Sequence, residues 1–333
     1  MARDGPSPAV LDVRADDLVL PFSVEGLDVR GRVARLGPAV DGILARHDYP
    51  ASVAGLLAEA MTLTVLLGTS LKVAGRFILQ THSDGPVGFM VVDFAMPDRI
   101  RAYASFDAER VAGLGEDAGA ASESLLGDGH LAMTVDQGGP SSRYQGVVPL
   151  DGRSLEDTAH LYFRQSEQIP TCVRLAAARA FKGGEQGLHW RAGGIVIQHL
   201  PEAGPARRRD LDPGDGSHDD SAPDEADEWT EARMLLETVE KHELIDPSIA
   251  LGELLIRLYH ERGVRVFEPI DVKEDCRCSR ERIIAMLSQF SFDEQKDMEE
   301  DGKVVVTCEF CSTTYRIEPG ELAGTDGTSA GYQ

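Results

Sequence analysis

Asp275-Cys276-Arg277-Cys278-Ser279-Arg280 and Val306-Thr307-Cys308-Glu309-Phe310-Cys311 carry four of the five cysteines of this 333-residue chain. Two close pairs, C-x-C and C-x-x-C, can supply the four thiolates that Zn2+ takes in a closed tetrahedral site, with Zn–S near ~2.3 Å. A site of one Zn2+ per reduced chain, on Cys276, Cys278, Cys308 and Cys311, is therefore the first reading. An iron–sulfur cluster, and cysteines left free or disulfide-bonded, are the alternatives. A thioredoxin-like redox pair fits less well, because no βαβ pattern surrounds the C-x-x-C and a second pair is present.

The neighbouring residues shape both arms. Lys303–Thr307 is a β-branched run leading into Cys308, and Thr313–Ile317 leads away from Cys311, which puts the C-x-x-C at the tip of a hairpin, as in a zinc knuckle. Ser279 is positioned to cap a helix patterned by Ile283, Ile284, Leu287 and Phe290. Ser291 and Glu294 then fit a capping box for a second short helix, which Gly302 is expected to end. Lys273, Arg277, Arg280 and Arg282 are placed to offset the negative charge of four thiolates. Whether the metal only staples the fold or also senses oxidant is left open by these residues.

The net charge of −23 argues against a surface that tracks phosphates, so nucleic acid is not an expected partner. The N-terminus, Met1-Ala2-Arg3-Asp4-Gly5-Pro6, has no apolar core of a signal peptide, and a cytoplasmic address is the default expectation. Residues 51–71 contain a single charge, Glu59, and approach the ~20 residues of a membrane span. Interspersed Ser and Thr and the lack of a basic flank favour a helix buried in a globular core, with no membrane partner.

Taken in order, Leu18–Val24, a Glu25-Gly26 turn and Leu27–Leu36 predict a hairpin. Helices are expected near 38–47 and 51–72. Strands follow around 76–81, 87–94, 100–105, 130–136, 144–149, 173–178 and 194–200, with a helix over 155–166. Blocks of hairpins and helices predict an α+β (mixed α/β) N-terminal domain over 1–201. Residues 202–228 hold ten acidic and three basic residues with several Gly and Pro, a composition expected of a disordered loop or linker. Helical patterning resumes over 229–244 and again after Asp246-Pro247 to 261, so 202–270 reads as an acidic insertion and helical linker. Residues 271–333 form the small C-terminal zinc-binding domain.

No H-E-x-x-H, G-x-S-x-G or P-loop motif is present, and the nine histidines are scattered singly. Gly113-Leu114-Gly115 is half of a dinucleotide fingerprint and reads as a loop. Cys172 beside an apolar strand reads as a small buried side chain, and His130 and His199 as structural. No catalytic residue is assigned.

The C-x-C and C-x-x-C, with Leu258-Tyr259-His260-Glu261 before them and Cys278-Ser279-Arg280-Glu281-Arg282 alongside, resemble the bacterial redox-regulated holdase chaperones of the 33-kDa heat-shock protein family. Gly75–Thr81, Asp84–Val87, Gly129–Ala132, Tyr162-Phe163, Ser166–Thr171 and Ala192-Gly193-Gly194 with Gln198 extend the resemblance over most of the chain. The acidic segment and Cys172 depart from the family pattern. The resemblance implies an inactive, zinc-bound reduced form. Oxidation would form disulfides Cys276–Cys278 and Cys308–Cys311, release zinc, and unfold switch and linker. The exposed apolar surface would then bind unfolding client proteins, with a homodimer as the active form. A non-enzymatic chaperone is thus expected; the alternatives are an enzyme or an adaptor with a purely structural four-cysteine zinc domain.

Overall fold

The computed structural model describes residues 15–71, 74–115, 122–138, 143–181, 187–199 and 227–322. The acidic segment's expected disorder, at 202–228, falls almost wholly outside them. Two compact units are formed: residues 1–44 with 49–274, and residues 275–333 with 45–48.

In the first unit, β1 (Leu18–Val24) and β2 (Val29–Leu36) form the expected antiparallel hairpin around a short 3-10 turn. Helices α1 (Pro38–Leu44) and α2 (Ala51–Gly68) follow. Next come β3 (Arg76–Ser83), β4 (Phe89–Ala95), β5 (Arg99–Ser105), short helices α3 (Ala108–Gly113) and α4 (Ser122–Leu126), and β6 (Gly129–Asp136) and β7 (Arg143–Pro149). Helix α5 (Leu155–Tyr162), extended by a π-turn over Phe163–Glu167, leads to β8 (Thr171–Phe181) and β9 (Leu188–His199). The sequence does not predict α3 and α4. Asp107 caps α3 by accepting from the amides of Glu109 and Arg110, and Gly113 ends it, so the half fingerprint is a helix end.

Beyond the undescribed segment lie α6 (Asp227–Glu237), α7 (Lys241–Ile245) and α8 (Leu251–Tyr259). The single helix expected over 229–244 is broken at Thr238–Glu240, because Glu240 and Glu243 form a capping box that starts a new helix. The next helix begins at Leu251 and not after Asp246-Pro247, since Asp246 accepts from the amide and hydroxyl of Ser248 and holds a turn there. Three short strands then run along the first unit: β10 (Val264–Val266) and β11 (Ile270–Asp271) on β1, and β12 (Lys273–Glu274) parallel to β5.

One sheet has the order β10-β1-β2-β9-β8 with β11 also on β1, and the other β12-β5-β4-β3-β6-β7. Helix α2 packs against strands of both, which explains its apolar character on nearly every face: 78% of it is buried inside the protein. The length of a membrane span here belongs to a core helix.

The opposite face of the first sheet is covered by the linker helices. Leu20, Phe22, Val33, Cys172, Ile195 and Ile197 of the sheet pack with Trp229, Leu236, Leu244, Leu251, Leu254, Leu255 and Tyr259 in a second apolar cluster. His199 lies against Trp229, a packing role. Polar contacts fix the register. Arg35, fully buried, donates from Nε to Leu244 O at 3.2 Å, from Nη1 to Ile249 O at 2.7 Å and from Nη2 to Glu243 O at 3.4 Å. Arg191 donates to Ile245 O at 2.8 Å and is paired with Asp16, and Arg174 reaches Val239 O at 3.3 Å. Burial, with Arg191 nearby, lowers the Arg35 pKa to about 10. The carbonyls of Glu243, Leu244, Ile245 and Ile249 end α7 and its following turn, where the helix leaves acceptors unsatisfied, and that of Val239 lies in the break before it.

Gly193 completes this seat. A Cβ there would lie 2.2 Å from Leu244 O, and one on Gly194 would meet Thr62 Cγ2 at 2.8 Å, on α2. Gly193→Ala is expected to lift residues 239–249 off the sheet, costing about 2–3 kcal/mol through steric conflict alone, because Gly193 lacks a left-handed φ. Faster amide exchange in 239–249 with an unchanged α2 is the expected signature; wild-type protection there would contradict the seating.

Candidate metal centre

The second unit is small. Helices α9 (Arg280–Leu287) and α10 (Phe292–Asp297), strands β13 (Glu299–Glu300), β14 (Lys303–Thr307) and β15 (Thr314–Ile317), and a closing turn of helix, α11 (Pro319–Leu322), surround an apolar core in which, among the described side chains, Leu287, Val304, Ile317 and Leu322 are buried. Such a core is slight for a domain of this length.

Ser279 starts α9 by accepting from Arg282 N, and Ser291 and Glu294 form the capping box of α10. Gly302 does not end that helix: it stands at φ 76° after Asp301 in the turn joining β13 to β14, a left-handed position that favours glycine. Strands β14 and β15 pair from Val304↔Ile317 to Thr307↔Thr314, so Cys308 and Cys311 occupy the hairpin tip. There Cys308 N donates to Thr313 O at 2.9 Å and Ser312 N to Cys308 O at 2.8 Å, with Ser312 left-handed at φ 54°. This turn aims both thiols to one side.

The four thiols meet. Their sulfurs all lie within 4.8 Å of one another, with Cys276 Sγ 3.7 Å from Cys308 Sγ and Cys278 Sγ 3.3 Å from Cys311 Sγ. A tetrahedron with Zn–S of ~2.3 Å has edges of about 3.8 Å, so the arrangement needs only small adjustments to close on one ion. A disulfide would need ~2.05 Å, and all five cysteines are free thiols. Cys172 is not one of the four and is buried under the linker helices. The donor set fits a soft, tetrahedral ion.

Around the sulfurs, the Tyr315 hydroxyl donates to Cys278 Sγ at 3.2 Å. Burial and the neighbouring thiols push Cys278 up to about 12, opposed by Tyr315. Burial also raises Cys311, but the Thr313 hydroxyl and amide and Cys278 outweigh it and bring that thiol down to about 7. The cations expected to balance the thiolates are largely engaged elsewhere. Arg280 pairs with Glu321 at 2.7 Å and donates to Arg316 O, Lys273 pairs with Asp98 at 3.1 Å, and Arg282 donates to Arg277 O at 2.7 Å.

The first unit holds a cavity of about 620 Å3 beside α2, with Glu59 in its wall. Burial pushes that carboxyl up to about 7, against the pull of Lys241 at 4.0 Å. This is a perturbed acid of the kind an enzyme would show, and among the described lining residues there is no histidine or cysteine beside it. Sequence reasoning assigns Glu59 no role. Its signal is a lone carboxylate in an otherwise apolar helix.

A two-sheet α+β unit followed by a compact unit whose four clustered thiols could hold a metal ion defines the class of this protein. Its relatives specify it further. The family model described as Hsp33 protein matches residues 17–318, and the chain belongs to the Hsp33 family. It is 46% identical over 306 residues to the 33 kDa chaperonin of Caulobacter vibrioides, covering 91% of this chain and 95% of that protein. It is 32% identical over 310 residues to the 33 kDa chaperonin of Shewanella denitrificans, covering 92% and 94%. The crystal structure of the Hsp33 homologue from Thermotoga maritima shares the fold at a TM-score of 0.73 and 21% identity, covering 92% of this chain and 97% of that one.

Proposed function

We propose that this chain is a cytoplasmic, redox-regulated holdase, without enzymatic activity, that binds unfolding client proteins once it is oxidised. The observation that carries this reading is the pairing of a four-thiol cluster with a small core, in which four of the described side chains are buried. In the reduced protein, Cys276, Cys278, Cys308 and Cys311 would hold one Zn2+, which supplies the cross-link that the small core lacks. Structural zinc sites contribute roughly 10–16 kcal/mol of apparent binding energy, and in a unit this small that energy is folding energy. Peroxide or a comparable oxidant would convert each close pair into a disulfide, Cys276–Cys278 and Cys308–Cys311. Each bond would take two electrons from two thiolates, the peroxide being reduced to water with protons from solvent, and zinc would lose its ligands.

The linker lies on the apolar face of the first sheet and reaches Cys276 through β10, β11 and β12, strands of two or three residues. Such short pairings resist little, so loss of the second unit's fold would free the chain back to α8 and expose the apolar cluster. Unfolding clients would bind there, and oxidised chains would associate as homodimers. Family membership supports the chaperone reading, as the curated relatives carry the name chaperonin.

The test follows zinc release with a metallochromic dye alongside suppression of thermal aggregation of a model client, in one peroxide-treated sample. Suppression should appear only after zinc release, reverse on adding reductant with Zn2+, and survive Cys172→Ser. Full suppression by reduced, zinc-loaded protein at ordinary temperature would make the metal a staple and not a switch.

A further inference from the structure

Scattered singly along the sequence, two histidines meet once the chain is folded. The register of β3 with β6 sets His82 directly across from His130, and both side chains are exposed. Their ring centroids lie 5.3 Å apart, with the planes 23° from parallel. On its other side, His82 faces Phe89 of β4, whose ring centroid is 4.8 Å away, so an aromatic ring confines it toward His130. Other histidines are engaged: His160 accepts from Val173 N, and His189 meets Asp41 at 2.8 Å. Among the described residues nothing hydrogen-bonds to the ring nitrogens of His82 or His130.

The spacing suits a shared ion. With Zn–N of ~2.0–2.1 Å and a tetrahedral angle at the metal, two imidazole centroids stand about 5.2 Å apart. The χ2 torsion of histidine is broad, so each ring can turn a nitrogen toward the ion without moving its strand. The backbone beneath is held in place. Gly129, next to His130, lets β6 approach β3 so closely that a Cβ there would lie 2.1 Å from His82 O. Two residues beyond the pair, Asp84 N donates to Asp128 O and Asp128 N to Asp84 Oδ1, each at 2.8 Å, which closes the strand ends. A fixed backbone is what lets two ligands act together, because the second imidazole then binds intramolecularly. The net charge of −23 also favours a cation at the surface.

We propose that His82 and His130 form a second metal site, a two-imidazole clasp across β3 and β6 that takes a divalent transition ion of the Zn2+ or Ni2+ type, with water in its remaining positions. Neutral imidazole suits these ions, whereas Mg2+ and Ca2+ prefer oxygen ligands. The sequence reads His130 as structural; the register gives it a partner and a task. The site lies wholly in the first unit and contains no thiol, so it is independent of the redox reading, and either can fail while the other stands.

The experiment is isothermal titration of Ni2+ into reduced, full-length protein that has first been loaded with one equivalent of Zn2+. One further ion per chain is expected to bind, and Mg2+ should not compete. His82→Asn and His130→Asn should each weaken Ni2+ at least tenfold, since either one removes the chelate, and the double variant should lose little more than the singles. His242→Asn and His260→Asn, at exposed histidines elsewhere in the same unit, should leave the isotherm unchanged. Thiolate-to-nickel absorption in the near ultraviolet reads any ion that enters the cysteine cluster, and the histidine variants should not alter that signal. Because both side chains are exposed, the asparagine variants should fold, and circular dichroism checks this. With nickel bound, wild-type protein should also show slower amide exchange over 80–83 and 129–132, a clasp signature that the variants lack. Wild-type affinity in both single variants would show that the rings only pack against each other. A loss in just one variant would reduce the site to a lone histidine. Either result overturns the proposal.

Discussion

Cys308→Ser protein prepared under reducing conditions is expected to carry almost no zinc and to lose the fold of residues 275–322 while residues 15–199 keep theirs. The cluster is closed by four sulfurs within 4.8 Å, and Cys308 sits at a hairpin tip whose turn depends on its backbone contacts with Thr313 and Ser312. Removing one ligand of four forfeits about a quarter of roughly 10–16 kcal/mol, or on the order of 10^2–10^3 in metal affinity. The unit cannot absorb that loss, since among its described side chains the buried apolar core is Leu287, Val304, Ile317 and Leu322. Metal analysis after dialysis against a chelator, with amide exchange of β14 and β15, checks both halves of the expectation. Full zinc retention would remove Cys308 from the ligand set. Cys172→Ser serves as the control and should retain one equivalent, because that thiol is buried beneath α6 and α8.

What the sequence made legible, and what it did not, follows from which interactions are local. Alternation marked β1 and β2, and the β-branched runs on either side of Cys308 and Cys311 marked the knuckle, because strand pattern and turn chemistry lie within a few residues. The buried α2 was readable because an 18-residue helix without a polar face has few soluble solutions. The break between α6 and α7 was missed although its capping residues, Glu240 and Glu243, were visible, since glutamate at an N-cap is uncommon. The strands β10 to β12 have two or three residues each and carry no period at all. Least legible were Arg35 and Arg191: arginine is ordinarily exposed, and its burial here depends on the carbonyls of residues 243–249, more than fifty positions away from either, and for Arg191 also on the distant Asp16 carboxylate. For the same reason Gly193 could be noticed but not explained until Leu244 was found against it.

Cys172 should be labelled by a small thiol reagent at least 10^2-fold faster in the oxidised protein than in the reduced, zinc-loaded protein. In the docked state its side chain is 5% exposed and shares an apolar cluster with Trp229, Ala232, Leu236 and Tyr259. Burial, assisted by the Glu237 carboxylate of α6, pushes its thiol up to about 11. The thiolate is the reactive form, and a free cysteine titrates near ~8.5, so release of the linker alone raises the reactive fraction at neutral pH on the order of 10^2-fold before any gain in access. The same shift has a pH consequence of definite sign. The folded-state pKa lies above the free value, so the contribution of a protonated Cys172 to linker docking is fully present below about 8.5 and is lost as pH rises toward about 11. Reduced wild-type protein should therefore loosen its linker in alkali, and Cys172→Ala should lack that part of the pH dependence. Peptide mapping by mass spectrometry reads Cys172 separately from the four clustered thiols, and amide exchange over 227–259 reads the helices directly. Because α6, α7 and α8 are too short to persist alone in water, detachment must appear as loss of their protection together with the rise in labelling. Slow labelling of Cys172 after complete zinc release would show that the linker stays on the sheet when the second unit unfolds, and that the client-binding surface must be sought elsewhere.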